Sequence, residues 1–598
     1  MHKPLSRRRL LQAAGGLGLG TQAWAAPAKP QDDKAAGARL DAIGARYLAN
    51  SLALSPLMGS ELMGGERFED KLEIAIAPAH QRQQKALQQR LLRELASLPQ
   101  AQLDPRQQLS LQLLRRQAQL RLEDLAFPAA LLPIDHYGGM PVTLAQMASG
   151  QGTQALDTPR QYRHFLRRLA RLPEWNRQAM ANMRQGLRSG IVQPRALIEQ
   201  ALLTLQPLAS AALDQHPYAQ PLRQFPASFS PAERADLSRR YEQEIRSRLL
   251  PSMQALLRFL HQDYLPHTRA SAGLSGLPNG AAWYAQRIHE ATSTRMDAHS
   301  IHALGLSEVA RIHAEMAKIH ALFGGQGSLS EFLREQPMRP EYRPFRTEQE
   351  VLDAYARINE QVVAALPRLF HRGPKAALEI RAEPEISKAT ASAHYMSPAV
   401  DGSRPGVFFE VIMDPREIAT PGMTSLFLHE GQPGHHFQIA LQQELPLPDW
   451  RRYIYNDAFV EGWALYAETL GYQMGLYEDP MTRLGHLSAD LHRAVRLVTD
   501  TGLHALGWTR EQSMQYMQQT EGIDAAEARR ATERYMAWPG QALAYKIGQL
   551  KMLALREQAQ KRLGERFSHA DFHAQLLEDG ALPLDLLEAK IERWLAAG

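Results

Sequence analysis

The 598-residue chain contains no cysteine. That absence excludes disulfide staples and an anchor built on a lipidated cysteine, so stability must come from a large core, which a chain of this length can form. Past the first 25 residues there is also no run of about 18 uninterrupted apolar residues, so the mature protein is expected to be soluble. Net charge is scarce as well. The formal total is +5, but Lys3, Arg7, Arg8 and Arg9 stand in a leader without acids, which leaves +1 for the rest. A near-neutral chain gives no basis for nucleic-acid binding or for an acidic membrane surface. No internal repeat recurs at a fixed period.

What is present begins with an address. Ser6-Arg7-Arg8-Arg9-Leu10-Leu11-Gln12 resembles a twin-arginine export motif, followed by an Ala/Gly/Leu-rich stretch and an Ala23-Trp24-Ala25 cleavage site. Residues 1–25 are therefore expected to be a signal peptide and 26–37 a disordered tether, with the mature protein periplasmic or secreted. From about 38 onward helical periodicity dominates. Gln81–Leu98, Pro105–Leu125, Thr158–Gly190, Pro231–Gln262 and Ser307–Leu322 carry Leu/Ala stripes against Gln, Arg and Glu, with prolines near several starts. The spacing predicts a helical lobe over 38–370 and a metal-binding catalytic lobe over 371–598, or one unit spanning both. Gly273–Tyr284 reads as a loop, either a plain helix–helix connection or a lining of the cleft. Pro398–Gly406, with Arg404 as a substrate-binding candidate, reads as a turn into a strand over Val407–Ile412. That strand is expected to be either an exposed edge for an extended substrate or part of a small hairpin.

The chemistry concentrates in Leu428-His429-Glu430-Gly431-Gln432-Pro433-Gly434-His435-His436 and, shortly after, in Val460-Glu461-Gly462-Trp463-Ala464-Leu465-Tyr466-Ala467-Glu468. Zinc hydrolases commonly spell H-E-x-x-H on one helix, which brings two imidazoles to one ion. Here proline stands where the second histidine would be. On an unbroken helix six residues advance about 600°, pointing His435 away from His429, and seven residues rise about 10 Å. Pro433 prevents an unbroken helix, and Gly434 frees the backbone to bulge. His429 and His435 are the expected ligands, with His436 as the alternative or a supporting partner. Glu430 is the expected general base beside an activated water. Glu461 is the candidate third ligand. Asp457, one turn before it, is a candidate to orient a ligand histidine, and Glu468 a candidate supporting carboxylate.

These strings resemble the family catalogued as domain of unknown function 885, whose signature is H-E-G-x-P-G-H-H. That family is in turn similar to the glutamate-ligand zinc peptidases, or gluzincins. In one branch of these the third ligand lies in an Asn-Glu-Gly-Phe-Ala segment that Glu461-Gly462-Trp463-Ala464 echoes. The resemblance implies a mainly α, large two-lobed zinc-peptidase-like fold with a small β-sheet beside the cleft, and one Zn2+ ion. Two further segments, around Arg493–His504 and Tyr535–Gly548, fit the family. Within them His504 and Tyr545 are chemically suited to stabilise an oxyanion, and Arg496 and Lys546 to hold a peptide's terminal carboxylate.

The expected function is an exported zinc metallopeptidase on short peptides, carboxypeptidase-like if Arg496 and Lys546 bind a carboxylate. An aminopeptidase stays open through spare carboxylates such as Glu468. The alternatives are a metallohydrolase of another amide or ester, for instance a cell-wall fragment, and a catalytically silent periplasmic binding protein. Two histidines and a carboxylate also suit iron or manganese.

Overall fold

The computed structural model describes residues 30–63, 66–150, 154–384, 388, 392–399 and 404–597. The proposed leader and residues 400–403 of the turn lie outside these. The described chain is mainly helical, with one three-stranded sheet. Helix starts follow local chemistry. Asp104, Thr158, Ser230 and Thr347 each cap a helix and donate their own backbone N–H in return to the side chain three residues on, and a proline opens the first three of these helices. Pro105–Asp124 matches its expected span closely. The 158–190 segment breaks into Pro159–Leu169 and Leu172–Ser189. The helix expected from Ser307 starts earlier, at Ala298, where Asp297 caps it. The tether expected over 26–37 is helical from Pro30 onward, because Ala36, Leu40 and Ile43 supply an apolar face that packs with Leu91, Leu95 and Trp450.

The boundary drawn near 370 does not coincide with a break in packing. One core is built from residues 72–265 alone. In four of the others the two sides of 370 interdigitate. Val351 and Tyr355 share a core with Phe408, Phe427 and Trp463, while Ile312 and Met316 pack with Leu484, Leu491 and Val495.

The sheet has the order β1-β3-β2, with β1 Leu378–Ala382, β2 His394–Met396 and β3 Gly406–Glu410. β3 pairs parallel with β1 and antiparallel with β2. Of the two expectations for this strand, the free edge fails and the small hairpin holds, since β3 pairs antiparallel with β2 and is also flanked by β1. Its run of apolar residues explains this, since Val407 and Phe408 are fully buried.

Two helices cross closely beside the sheet. A Cβ on Gly462, in Asp457–Thr469, would lie 2.4 Å from Gly548 Cα, and one on Gly548, in Ala544–Leu563, 1.9 Å from the Ala458 carbonyl oxygen. Only glycine permits this approach, which brings Glu461 and Tyr545 toward the same space. Gly548→Val is expected to lower stability by about 3 kcal/mol through overpacking, read from the denaturant midpoint at unchanged slope. An unshifted midpoint would show that the crossing is loose.

Candidate metal centre

The chain between the two histidines is a break rather than a bulge. Met423–Glu430 ends at Gly431, and a new helix, His435–Glu444, starts after Gly434. The Gln432–Pro433 peptide bond is cis. A Cβ on Gly434 would lie 2.0 Å from the His429 carbonyl oxygen, so the reversal folds back directly on the first helix. The indole of Trp463 donates to the Pro433 carbonyl at 2.8 Å and ties the turn to the Glu461 helix.

This turn swings His435 back to His429, with ring centroids 4.8 Å apart and planes at 83°. Glu461 closes the triad. Its Oε2 lies 3.7 Å from His429 Nε2 and 3.4 Å from His435 Nε2. One ligand atom from each residue falls within 4.8 Å of the others. Tetrahedral bonds of about 2.0–2.2 Å set ligand atoms roughly 3.4 Å apart, so the donor set fits one divalent cation. Glu461 Oε2 is buried and receives no hydrogen bond, which leaves it free for an ion. Burial disfavours charge on both His429 and Glu461. Even so, the carboxylates of Glu461 and Glu468 push His429 up to about 9, and the imidazoles hold Glu461 well below the usual carboxylate range. The pocket therefore favours positive charge between these groups.

His429 is oriented from behind. Its Nδ1–H donates to Glu468 Oε1 at 2.8 Å, which fixes the tautomer and presents Nε2 to the centre. Glu468 is completely buried, accepts from the Ser425 hydroxyl at 2.5 Å and pairs with Arg493 at 3.3 Å. Burial would raise it, but Arg493, His429 and a third imidazole, His486, hold it well below the usual range. Glu468 thus does what Asp457 was expected to do. Asp457 makes no hydrogen bond to a histidine among the described residues, and burial and the neighbouring Glu461 push it up to about 6. The Nδ1 of His435 is buried without a partner. His436 faces the sheet. Tyr395 Oη lies 3.1 Å from its Nδ1, and burial pushes it down to about 4.

Glu430 ends the first helix, nearly buried, next to His429, where its charge acts on Glu410 and on the phenols of Tyr355 and Tyr455. Tyr545 lies with its ring 6.5 Å from that of His429 and nearly parallel to it. Arg496 packs on the same ring, with its guanidinium 4.4 Å from the Tyr545 ring centroid. Arg404 lies on the sheet side, beside Tyr395.

Two expected roles are corrected. His504 is fully buried and its ring is spent, with Nδ1 accepting from the Leu274 N–H at 3.0 Å and Nε2 donating to the Tyr535 carbonyl at 2.9 Å. It has no donor left for an oxyanion, and instead anchors the 273–277 connection. Lys546 is likewise fully buried, 2.7 Å from Asp490 and 3.0 Å from Glu308, so it cannot receive a substrate carboxylate. Sequence reasoning missed Ser425, Arg493 and Tyr455. Ser425 was within reach of periodicity, since it stands one turn before His429 on the same helix face. Tyr455 precedes the Glu461 helix, exposed to solvent but beside the carboxylates of Glu461 and Asp457. No local pattern marks that position.

The fold and the site together define a mainly helical protein with a buried two-histidine, one-carboxylate centre. The chain belongs to the family described as bacterial proteins of unknown function, DUF885, which matches residues 57–591. No curated protein matches the chain significantly. Among solved structures it is similar to a candidate lipoprotein from Colwellia psychrerythraea, at 28% identity and a TM-score of 0.85, covering 95% of this chain and 100% of that one. A candidate lipoprotein of unknown function from Shewanella oneidensis shares the fold at 19% identity and a TM-score of 0.70, covering 93% and 99%.

Glu468→Gln is expected to weaken zinc affinity about 10- to 100-fold, measured by competition against a chelating dye. Unchanged affinity would remove Glu468 from the support of the site. A second expectation concerns pH. Burial holds His504 down to about 3 from its ordinary 6.5. The unfolded chain then binds a proton that the folded chain refuses, so stability present above about 6.5 is lost as pH falls toward 3. Relative to His504→Gln, the wild type should lose on the order of 2 kcal/mol between pH 7 and 5, read from denaturant midpoints.

Proposed function

We propose that the protein is a zinc-dependent metallopeptidase acting on short peptides, with His429, His435 and Glu461 holding the ion and Glu430 as general base. The observation that carries this reading is the unpartnered Glu461 Oε2, buried 3.4–3.7 Å from two imidazole nitrogens. When bound, the cation supplies a Lewis acid and brings the pKa of a water molecule to near 7. The remaining work falls to side chains. Glu430 takes the proton of the attacking water on its carboxylate and returns it to the leaving amine nitrogen, so that it ends the cycle ionised. Tyr545, with its ring 6.5 Å from that of His429, is the donor this reading assigns to the oxyanion that forms on the scissile carbonyl. Glu468 keeps His429 in the ligating tautomer throughout.

The reading takes in the rest of the molecule. The helical layer over 72–265 has its own core, separate from the one that includes the metal-site helices. The arginine-rich leader and the Colwellia relative's description as a candidate lipoprotein support a place in the cell envelope or outside it. No helix among the described residues is long and apolar enough to cross a membrane.

The test is mass spectrometry of a defined peptide mixture incubated with zinc-loaded protein and with Glu430→Gln. Wild type should cleave peptides, and the variant should retain zinc but lose roughly 100- to 10,000-fold in rate. No cleavage by a verified zinc-loaded sample would overturn the peptidase reading and favour another substrate or a binding role.

A further inference from the structure

Three basic side chains project into the region behind the centre, and two of them are already paired. Lys546 is held by Asp490 and Glu308, and Arg493 by Glu468. Arg496, three residues after Arg493 on the Pro480–His504 helix, has no carboxylate within ion-pair distance among the described residues. Its Nε and Nη1 are buried without a hydrogen-bond partner, the phenols of Tyr535 and Tyr545 adjoin it, and the Glu461 carboxylate acts on it from beyond ion-pair distance. A buried guanidinium left unpaired is costly, and a planar fork of donors suits a carboxylate. The protein neutralises the cations on either side and leaves this one open.

The position is as telling as the vacancy in its bonding. The guanidinium carbon is 4.4 Å from the Tyr545 ring, and that ring is 6.5 Å from the ring of the ligand His429. Both steps together span no more than about 11 Å, and an extended chain covers about 3.3–3.6 Å per residue. An anion on Arg496 thus stands roughly one to three residues from a carbonyl at the centre. We propose that Arg496 receives the free C-terminal carboxylate of the peptide, so that the protein releases C-terminal fragments of roughly one to three residues. This rests on the peptidase reading above. Capture of a substrate's amino terminus is disfavoured by the same inventory, because Glu468 is fully buried and engaged by His429, Ser425 and Arg493.

The test uses paired peptides, one with a free C-terminal acid and one with a C-terminal amide, on the zinc-loaded full chain. The acid should be cleaved with kcat/KM at least about thirtyfold above the amide, the scale of a lost partner to a buried charge. Products should be short C-terminal pieces. In Arg496→Gln the acid-to-amide ratio should collapse toward one, chiefly through KM, and Arg496→Lys should restore part of it. The wild-type comparison needs no variant to fold. Equal cleavage of acid and amide, or internal cuts far from the C-terminus, would overturn the assignment while leaving a peptidase. Selective cleavage of amides that carry an internal Asp or Glu would overturn it in favour of side-chain recognition. If nothing is cleaved, calorimetry of the same peptides on Glu430→Gln decides separately. Preference for the acid would support the carboxylate site without the peptidase, and no preference would overturn both.

Discussion

The hydrogen bond from His429 Nδ1 to the fully buried Glu468 organises much of what surrounds it. A carboxylate with no access to water must be satisfied on every side, or it becomes protonated. Here Ser425, Arg493 and His429 satisfy it, and they come from two helices that flank the Glu461 helix. The requirement to satisfy one buried charge therefore pins three helices in register. It also leaves His429 with its free nitrogen turned toward His435 and Glu461.

Close packing supplies the second constraint. The Gly462–Gly548 crossing lets Ala544–Leu563 approach the Glu461 helix, and Tyr545 arrives beside His429 as a consequence. Gly434 does the same for the turn, folding the chain back on the His429 carbonyl so that a histidine six residues on can reach the same point. At both places the absence of a side chain, rather than a specific contact, makes the geometry possible. The basic residues divide along similar lines. Lys546 and Arg493 are absorbed by buried carboxylates and serve the architecture, whereas Arg496 lies against Tyr545 with no ion pair among the described residues.

Much of this was legible from one chain. The break at Pro433-Gly434, and with it the approach of His435 to His429, followed from the helical repeat and from what proline forbids, whereas Glu461 was marked only by its acidic Glu-Gly-Trp-Ala segment. The capped amphipathic helices followed from Asp, Thr and Ser placed before apolar stripes. Other features were not legible. His504 and Lys546 look like reactive groups in sequence, and only their partners, a backbone carbonyl in one case and two distant carboxylates in the other, show them to be structural. The central position of β3 depended on β1, about 30 residues upstream, and apolar periodicity does not encode strand order.

The sequence by itself determined the donor types, the helix break between them and the helical character of the chain, because these depend on covalent geometry and on residues within a turn or two of each other. Tertiary structure alone decided which carboxylate orients His429, which cation is left unpaired, and that no seam divides the chain near 370. Those outcomes depend on burial and on partners tens to hundreds of residues away. The cost of an unsatisfied charge is set by the surroundings it folds into.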